Sequence, residues 1–348
     1  MPFSEAKNIL VVRTDAIGDV ILSEPVARIL KGHYQQCRVT YAVSKYAAPV
    51  LFNNPYIDRV IRLPKRDLSF GYSNIKKVAR IFAIDGYDTA IILRPTLFNA
   101  LSVYFSRIPI RIGTANRLYS IFFNKRIKEH RSENKKSEMF YNISMLTPLR
   151  IELPETDSDD IRPKLYPQKE QLEKGKGLLF KNGVTDADIP LIIHPGGRGS
   201  APRWDFNRFV ALIGQLCQLE NLKIVITGTP EEYDQEQLAS LKRLVTTEGG
   251  KVINFIGKTD LSMLISLIKL SDLVITNSTG TAHISAAVET PLIGIYPDTP
   301  KHSLRRWAPQ GIADKINIIS ASDLGKIKPE KVFKACINFI KKSSRAKT

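Results

Sequence analysis

Residues 272–288 read as one complete strand–turn–helix unit, and that unit constrains the fold more than any other feature of the chain. Asp272-Leu273-Val274-Ile275-Thr276 is an apolar run. Asn277-Ser278-Thr279-Gly280-Thr281-Ala282-His283 is a tight, Gly-containing turn, and Ile284-Ser285-Ala286-Ala287-Val288 is a small-residue helical run. An apolar strand without alternation is buried on both faces, as in a parallel sheet covered by helices. The turn also carries chemistry. The first N–H groups of a helix lack intrahelical partners, and the helix dipole favours negative charge there. Ser278, Thr279 and Thr281 add hydroxyl donors, so the turn suits phosphates. An ordinary capped βα turn would carry the same residue types, because Ser and Thr cap helices.

The pattern recurs along the chain. Strand-like runs occupy 7–13, 38–43, 60–63 and 87–93, with a helical run at 23–32 whose Pro25 sits near the first turn, where proline is tolerated. Residues 152–168 then turn acidic and Pro-containing, as an interdomain linker does. After a helical stretch at 169–182 the alternation resumes, with strand runs at 191–194, 222–227, 273–277 and 291–296. Strands separated by helices imply βαβ units. The expected architecture is therefore α/β: two doubly wound, Rossmann-like domains facing a central cleft, where open α/β sheets bind ligands. The expected boundaries are 1–165, 166–325, and a C-terminal helix and tail over 326–348, with Val332, Phe333, Ala335, Cys336, Phe339 and Ile340 on one helical face. A chain of 348 residues exceeds one typical compact domain.

Charge is unevenly placed. Residues 1–150 carry 24 Lys/Arg against 11 Asp/Glu, and the remainder carries 27 against 23. A basic first half suits an anionic partner: nucleic acid, an anionic membrane face or a phosphorylated glycolipid. The cations are not interleaved with an aromatic stacking motif, nor set along a DNA-reading helix, which argues against nucleic acid. Cys37, Cys217 and Cys336 are widely spaced, form no metal-ligand or disulfide pattern and suit a reducing compartment. Neither a signal peptide nor a transmembrane segment is evident, so a cytoplasmic enzyme is expected.

Two further loops have chemical character. The first strand runs into Arg13-Thr14-Asp15-Ala16-Ile17-Gly18-Asp19-Val20. Gly18 permits close approach of a substrate to the backbone, and Asp19 is either a cleft carboxylate or an N-cap. The G-x-G-x-x-G dinucleotide fingerprint is absent here. The strand 191–193 ends in His194-Pro195-Gly196-Gly197-Arg198-Gly199-Ser200-Ala201-Pro202-Arg203-Trp204. Arginine donates forked hydrogen bonds to phosphate, so three glycines beside Arg198 and Arg203 suit a diphosphate. A surface loop with incidental charges is the alternative, and Trp204 is expected to pack.

Taken in order, these loops resemble the ADP-heptose:lipopolysaccharide heptosyltransferases of glycosyltransferase family 9. Arg13-Thr14-x-x-x-Gly18-Asp19 resembles the first motif of that family. His194-Pro195-Gly196-Gly197 through Arg203-Trp204 resembles the second, and Asn277-Ser278-Thr279-Gly280-x-x-His283 the third. Gly257-Lys258-Thr259-Asp260-Leu261 matches a Gly-Lys-Thr-x-Leu segment. The likeness spans residues 7–300.

The resemblance implies a GT-B fold and an inverting heptosyl transfer from ADP-heptose to the lipopolysaccharide inner core. It implies no metal and no cofactor, with action at the inner face of the cytoplasmic membrane. It makes Asp19 the general base. It assigns donor binding to Gly18, Gly196, Gly197, Arg198, Arg203, Lys258, Asn277, Ser278, Thr279, Gly280, Thr281 and His283. The acceptor falls to the basic N-terminal half, at Arg117, Lys125, Arg126 and Lys128. Two positions depart from the family pattern: Pro202 stands where a Lys is usual, and Ser278 where an Asp is usual. The alternatives are a related GT-B enzyme with another nucleotide sugar, a nucleotide-sugar epimerase, or a catalytically inactive homologue.

Overall fold

The computed structural model describes residues 6–155, 158–197, 199 and 201–347. The chain divides into two compact units, Met1–Tyr166 and Pro167–Thr348.

The first unit holds a six-stranded parallel sheet. Its strands are β1 (Asn8–Arg13), β2 (Arg38–Ser44), β3 (Arg59–Leu63), β4 (Thr89–Ile92), β5 (Ile110–Thr114) and β6 (Lys125–Ile127), in the order β3-β2-β1-β4-β5-β6. The central strands are apolar without alternation because helices cover both faces; Leu10, Val11, Val12, Ile91 and Ile92 are inaccessible to solvent. The strand order reverses direction between β1 and β4, which makes their C-terminal ends the topological switch point, where doubly wound sheets bind ligands. Helices α1 (Ile17–Ile21) and α2 (Pro25–His33) follow β1, and Pro25 opens α2 where its missing N–H costs nothing. Helices α3 (Tyr72–Ala83), α4 (Leu97–Phe105) and α5 (Glu138–Ser144) complete the unit.

The segment read as a linker is tied to this unit. Arg28 donates to the carbonyls of Asp160 and Arg162, and the buried Glu24 carboxylate accepts the Lys164 N–H at 3.1 Å. Ile161 and Leu165 are buried. Its acidic, Pro-containing composition marks the boundary, but its backbone is pinned by α2.

The second unit repeats the design. Strands β7 (Ile189–His194), β8 (Leu222–Ile226), β9 (Val252–Asn254), β10 (Leu273–Asn277), β11 (Leu292–Pro297) and β12 (Ile316–Ala321) form a parallel sheet ordered β12-β11-β10-β7-β8-β9. Read from the other edge this is the same winding, with the switch point between β7 and β10. The helices are α6 (Lys169–Lys181), α7 (Phe206–Leu216), α8 (Gln235–Thr247), α9 (Leu261–Lys269), α10 (Gly280–Ala287), the single turn α11 (Leu304–Trp307) and α12 (Pro329–Lys347). Val332 and Cys336 carry α12 into the core beside Phe209, Leu212 and Leu216 of α7, so the terminal helix is part of this unit.

Candidate active site

In the first unit the switch point is organised by one buried guanidinium. Arg13 is the last residue of β1, and a charge left there without partners would be prohibitively costly. It is paired on every side. Nη2 donates to Asp19 Oδ1 at 2.6 Å, and Nη1 to Asn142 Oδ1 at 2.9 Å, Glu138 Oε1 at 3.1 Å and the Leu93 carbonyl at 3.2 Å. Nε lies 2.9 Å from Asp15 Oδ1 as an ion pair. Burial opposes this charge, but Asp15, Asp19 and Glu138 outweigh it and raise the Arg13 pKa above its ordinary value.

The N-cap of α1 is Ala16, with no side-chain cap, so Asp19 does not cap the helix. It stands in the first turn of α1, clamped by Arg13, beside the buried Gly18. Asp15 is different in character: burial, with Asp19 adding to it, pushes its carboxyl up to about 6 against the pull of Arg13 and Arg94. Arg94, just past β4, donates to the Thr14 carbonyl at 2.9 Å and joins the two strand ends across the switch point.

Sequence reading did not single out Glu138 and Asn142; both join this cluster, together with Arg131 from the basic segment that follows β6. Arg131 Nη1 donates to Glu138 Oε1 at 2.5 Å, so Glu138 bridges two arginines from 1% solvent exposure. The available signal was Arg13 itself: a cation ending a buried strand requires a carboxylate from elsewhere.

In the second unit the two Gly-containing loops meet at the other switch point. Asn277, ending β10, is buried and spends its amide on the neighbouring loop: Oδ1 accepts the Trp204 N–H at 2.9 Å, and Nδ2 donates to the Pro195 carbonyl at 2.7 Å. Trp204 packs as expected, fully buried on Phe209 with its indole N–H on the Ile327 carbonyl. Gly197 lies between Thr279 and Arg203. A Cβ there would come within 3.2 Å of Thr279 Cγ2 and 3.3 Å of Arg203 Cδ. Arg203 Nη1 reaches back to the Glu232 carbonyl at 3.0 Å.

Thr279 is the N-cap residue of α10, but its side chain does not cap the helix. Its hydroxyl contacts Thr276 Oγ1 at 3.1 Å instead. Gly280 and Thr281 are the first two helical residues, and His283 lies buried in the same turn. Ser278 is half-buried beside the enclosed Tyr296 phenol, whose pKa burial raises and Ser278 draws back.

Gly196 has a packing role. Its N–H donates to the Tyr233 hydroxyl at 3.1 Å, and a Cβ would strike Glu232 Oε2 at 2.8 Å. His194 is held by Thr227 Oγ1 at 3.0 Å, and burial lowers its pKa against the opposing charge of Glu232. Lys258 is exposed on the loop after β9, two strands from β7; the adjacent Gly257 N–H donates to Gly228. Arg198 lies outside the described residues.

The four basic residues read as an acceptor surface lie around β6, at the edge of the first sheet. Arg117, Arg126 and Lys128 are exposed and Lys125 is half-buried. The loops after β5 and β6 are joined by Asn116 Nδ2 on the Glu129 carbonyl at 2.8 Å, and the chain leads from Lys128 directly to Arg131.

A family model described as glycosyltransferase family 9 (heptosyltransferase) matches residues 75–334. Lipopolysaccharide heptosyltransferase 2 of Salmonella typhimurium is 25% identical over 302 residues, covering 84% of this chain and 83% of the relative. Among solved structures, a family 9 glycosyltransferase from Veillonella parvula aligns with a TM-score of 0.82 at 23% identity, covering 97% of this chain and 99% of that one. The E. coli ADP-heptose lps heptosyltransferase II aligns with a TM-score of 0.79 at 20% identity, with the same coverage. The fold is therefore GT-B, built from two Rossmann-like domains.

Proposed function

Because the chain belongs to glycosyltransferase family 9, we propose that it transfers a heptose from ADP-heptose to a lipopolysaccharide inner-core acceptor, by inverting displacement without a metal ion. The observation that carries this reading is the Arg13–Asp19 pair at the switch point of the first sheet. Arg13 engages Asp19 Oδ1 and leaves Oδ2 to take the proton of an acceptor hydroxyl. The freed oxygen attacks the anomeric carbon from the face opposite the leaving group, which inverts the centre, and ADP departs.

The departing diphosphate needs positive charge that is already in place. The N-terminus of α10, with Thr279, Gly280 and Thr281, supplies N–H groups and hydroxyls, and Arg203 supplies a cation held next to them through Gly197. Asn277 fixes the two loops to each other as a positioning residue. Gly196 keeps the Glu232–Tyr233 segment close, while Lys258, Ser278 and His283 complete the donor side. Arg117, Lys125, Arg126 and Lys128 receive the anionic acceptor at the membrane face. None of the helices among the described residues is long and apolar enough to cross a membrane.

A donor screen with ADP-, UDP- and GDP-sugars, read by mass spectrometry in the presence of inner-core acceptor, tests the proposal. The expected product is an acceptor conjugate from ADP-heptose alone. Isomerised donor without conjugate, or conjugate from a different nucleotide sugar, overturns it.

A further inference from the structure

Leu118 is 96% exposed and Ile121 69% exposed, and both stand on the 3-10 turn Leu118–Phe122 of the first unit. Beside them, at the end of α4, Tyr104 is 44% and Phe105 49% exposed. The Tyr104 ring lies 5.1 Å from Phe122 and 5.6 Å from Phe105, which joins the exposed rings of α4 to the turn that carries Leu118 and Ile121. Exposed apolar surface of this kind marks an interaction site.

The turn is firmly anchored. Ser120 and Phe123 are buried, and the Phe123 ring lies so close to Gly113 that a Cβ there would come within 2.3 Å. The Tyr119 hydroxyl donates to the Pro95 carbonyl, and the Arg117 N–H donates to Ser120 Oγ at 3.2 Å. The fold therefore holds the apolar tips of Leu118 and Ile121 out into solvent.

The rim is of one sign. Residues 89–128 contain seven Lys/Arg and no Asp or Glu. Arg117 immediately precedes Leu118, and Arg126 is held over the turn by its Nε on the Phe123 carbonyl at 3.0 Å. Aliphatic tips within a cationic, carboxylate-free rim match an anionic bilayer: the tips enter the acyl boundary and the cations meet lipid phosphates. A second copy is a poor match, because a two-fold contact is self-complementary and would set this basic rim against itself.

We propose that the Leu118–Phe122 turn is a wedge that seats the first unit on an anionic bilayer. It rests on the heptosyltransferase reading only for the reason to be at a membrane. The test is co-sedimentation of the full chain with phosphatidylethanolamine–phosphatidylglycerol vesicles and with phosphatidylcholine vesicles. Wild type is expected to bind the anionic vesicles, and Leu118→Glu/Ile121→Glu to lose roughly tenfold or more in partitioning, with ADP affinity and turnover of a lipid-free acceptor unchanged. In a Leu118→Trp variant, tryptophan emission should shift to the blue on anionic vesicles and be quenched by brominated acyl chains. Undiminished binding by the double variant, or no shift and no quenching at position 118, overturns the wedge. So does a wild-type dimer that the double variant breaks without any vesicle binding. Vesicle binding that depends on Leu118 and Ile121 in a chain that transfers no heptose upholds the wedge and overturns only the activity.

Discussion

Arg13 and Asp19 are locked together at 2.6 Å, Nη2 to Oδ1, at the point where the first sheet reverses its strand order. In the proposed mechanism this pair separates a base from its support. Asp19→Asn keeps the shape and a hydrogen-bonding oxygen for Arg13 but removes the proton acceptor. Turnover should fall about 10²–10⁴-fold while ADP affinity holds; wild-type-like turnover would remove Asp19 from the mechanism. Arg13→Ala acts differently, because it takes the ion-pair partner from the largely enclosed Asp15 and leaves the buried Glu138 with Arg131 alone. Its expected signature is a loss of about 3–5 kcal/mol in urea unfolding, with activity lost as a consequence.

Asp15 gives the first unit a pH signature. Its carboxyl is pushed up to about 6 in the fold, from 3.8, by burial and by Asp19, against Arg13 and Arg94. A raised folded pKa means that the fold binds this proton more tightly than the unfolded chain does. The resulting stabilisation is fully present below about pH 4 and is lost as pH rises through about 6. Urea unfolding of wild type and Asp15→Asn across this range measures it. The stability difference between them should move against wild type as pH rises from 4 to 6. A constant difference would mean that Asp15 titrates alike in both states.

What the sequence made legible follows from how each element is buried. The strands at β1, β2 and β10 could be read to within a residue or so, because unbroken apolar runs fill the centre of each sheet. Strands β5, β6, β9 and β12 were not read. Arg111 and Gly113 interrupt β5, two of the three residues of β6 are cations, β9 is only three residues long, and β12 is a half-buried edge. The three motif loops were readable as loops because Gly, Pro and hydroxyl residues cluster there. Their internal wiring was not. The Arg13–Glu138 contact spans 125 residues and the Asn277–Trp204 contact 73, and no local pattern encodes either pairing. Asn277 shows the consequence: as a motif residue it reads as a donor contact, whereas both ends of its amide are committed to backbone.

That commitment is testable by Asn277→Ala, which leaves the buried Trp204 N–H and Pro195 carbonyl without partners. A stability loss of about 1–3 kcal/mol per orphaned group is expected. Asn277→Asp keeps the acceptor for Trp204 but places a carboxylate against the Pro195 carbonyl, and should be no better. If either variant unfolds like wild type, the loops are not held by Asn277.

The proposed phosphate site of the second unit depends on the approach of Thr279 and Arg203 across Gly197. Gly197→Ala introduces a methyl within 3.2 Å of Thr279 Cγ2 and 3.3 Å of Arg203 Cδ, so the two must part by a few tenths of an ångström. Arg203→Ala should weaken ADP binding by roughly 1.5–3 kcal/mol, the range for a charged hydrogen bond. Gly197→Ala should weaken it too, by less. Gly280→Val should obstruct the helix N-terminus itself. Isothermal titration with ADP reads all three, and unchanged affinity in Arg203→Ala and Gly280→Val together would move the diphosphate elsewhere.

The proposed acceptor side rests on charge at the edge strand β6. Lys125, Arg126 and Lys128 lie within four residues of one another, and the next acidic residue, Glu129, is paired with Lys136 at 2.5 Å. Reversing all three charges leaves the sheet intact, because β6 contributes backbone pairing to β5 and little buried side-chain surface. It should raise the KM for a phosphorylated acceptor while the KM for the donor stays near wild type, since the proposed donor residues, Gly18 apart, belong to the second unit. High salt should blunt the wild-type preference for that acceptor, because exposed charges are screened. A dephosphorylated acceptor separates recognition from general attraction: if the triple variant still distinguishes the phosphorylated acceptor from the dephosphorylated one as wild type does, these residues do not hold the acceptor phosphate.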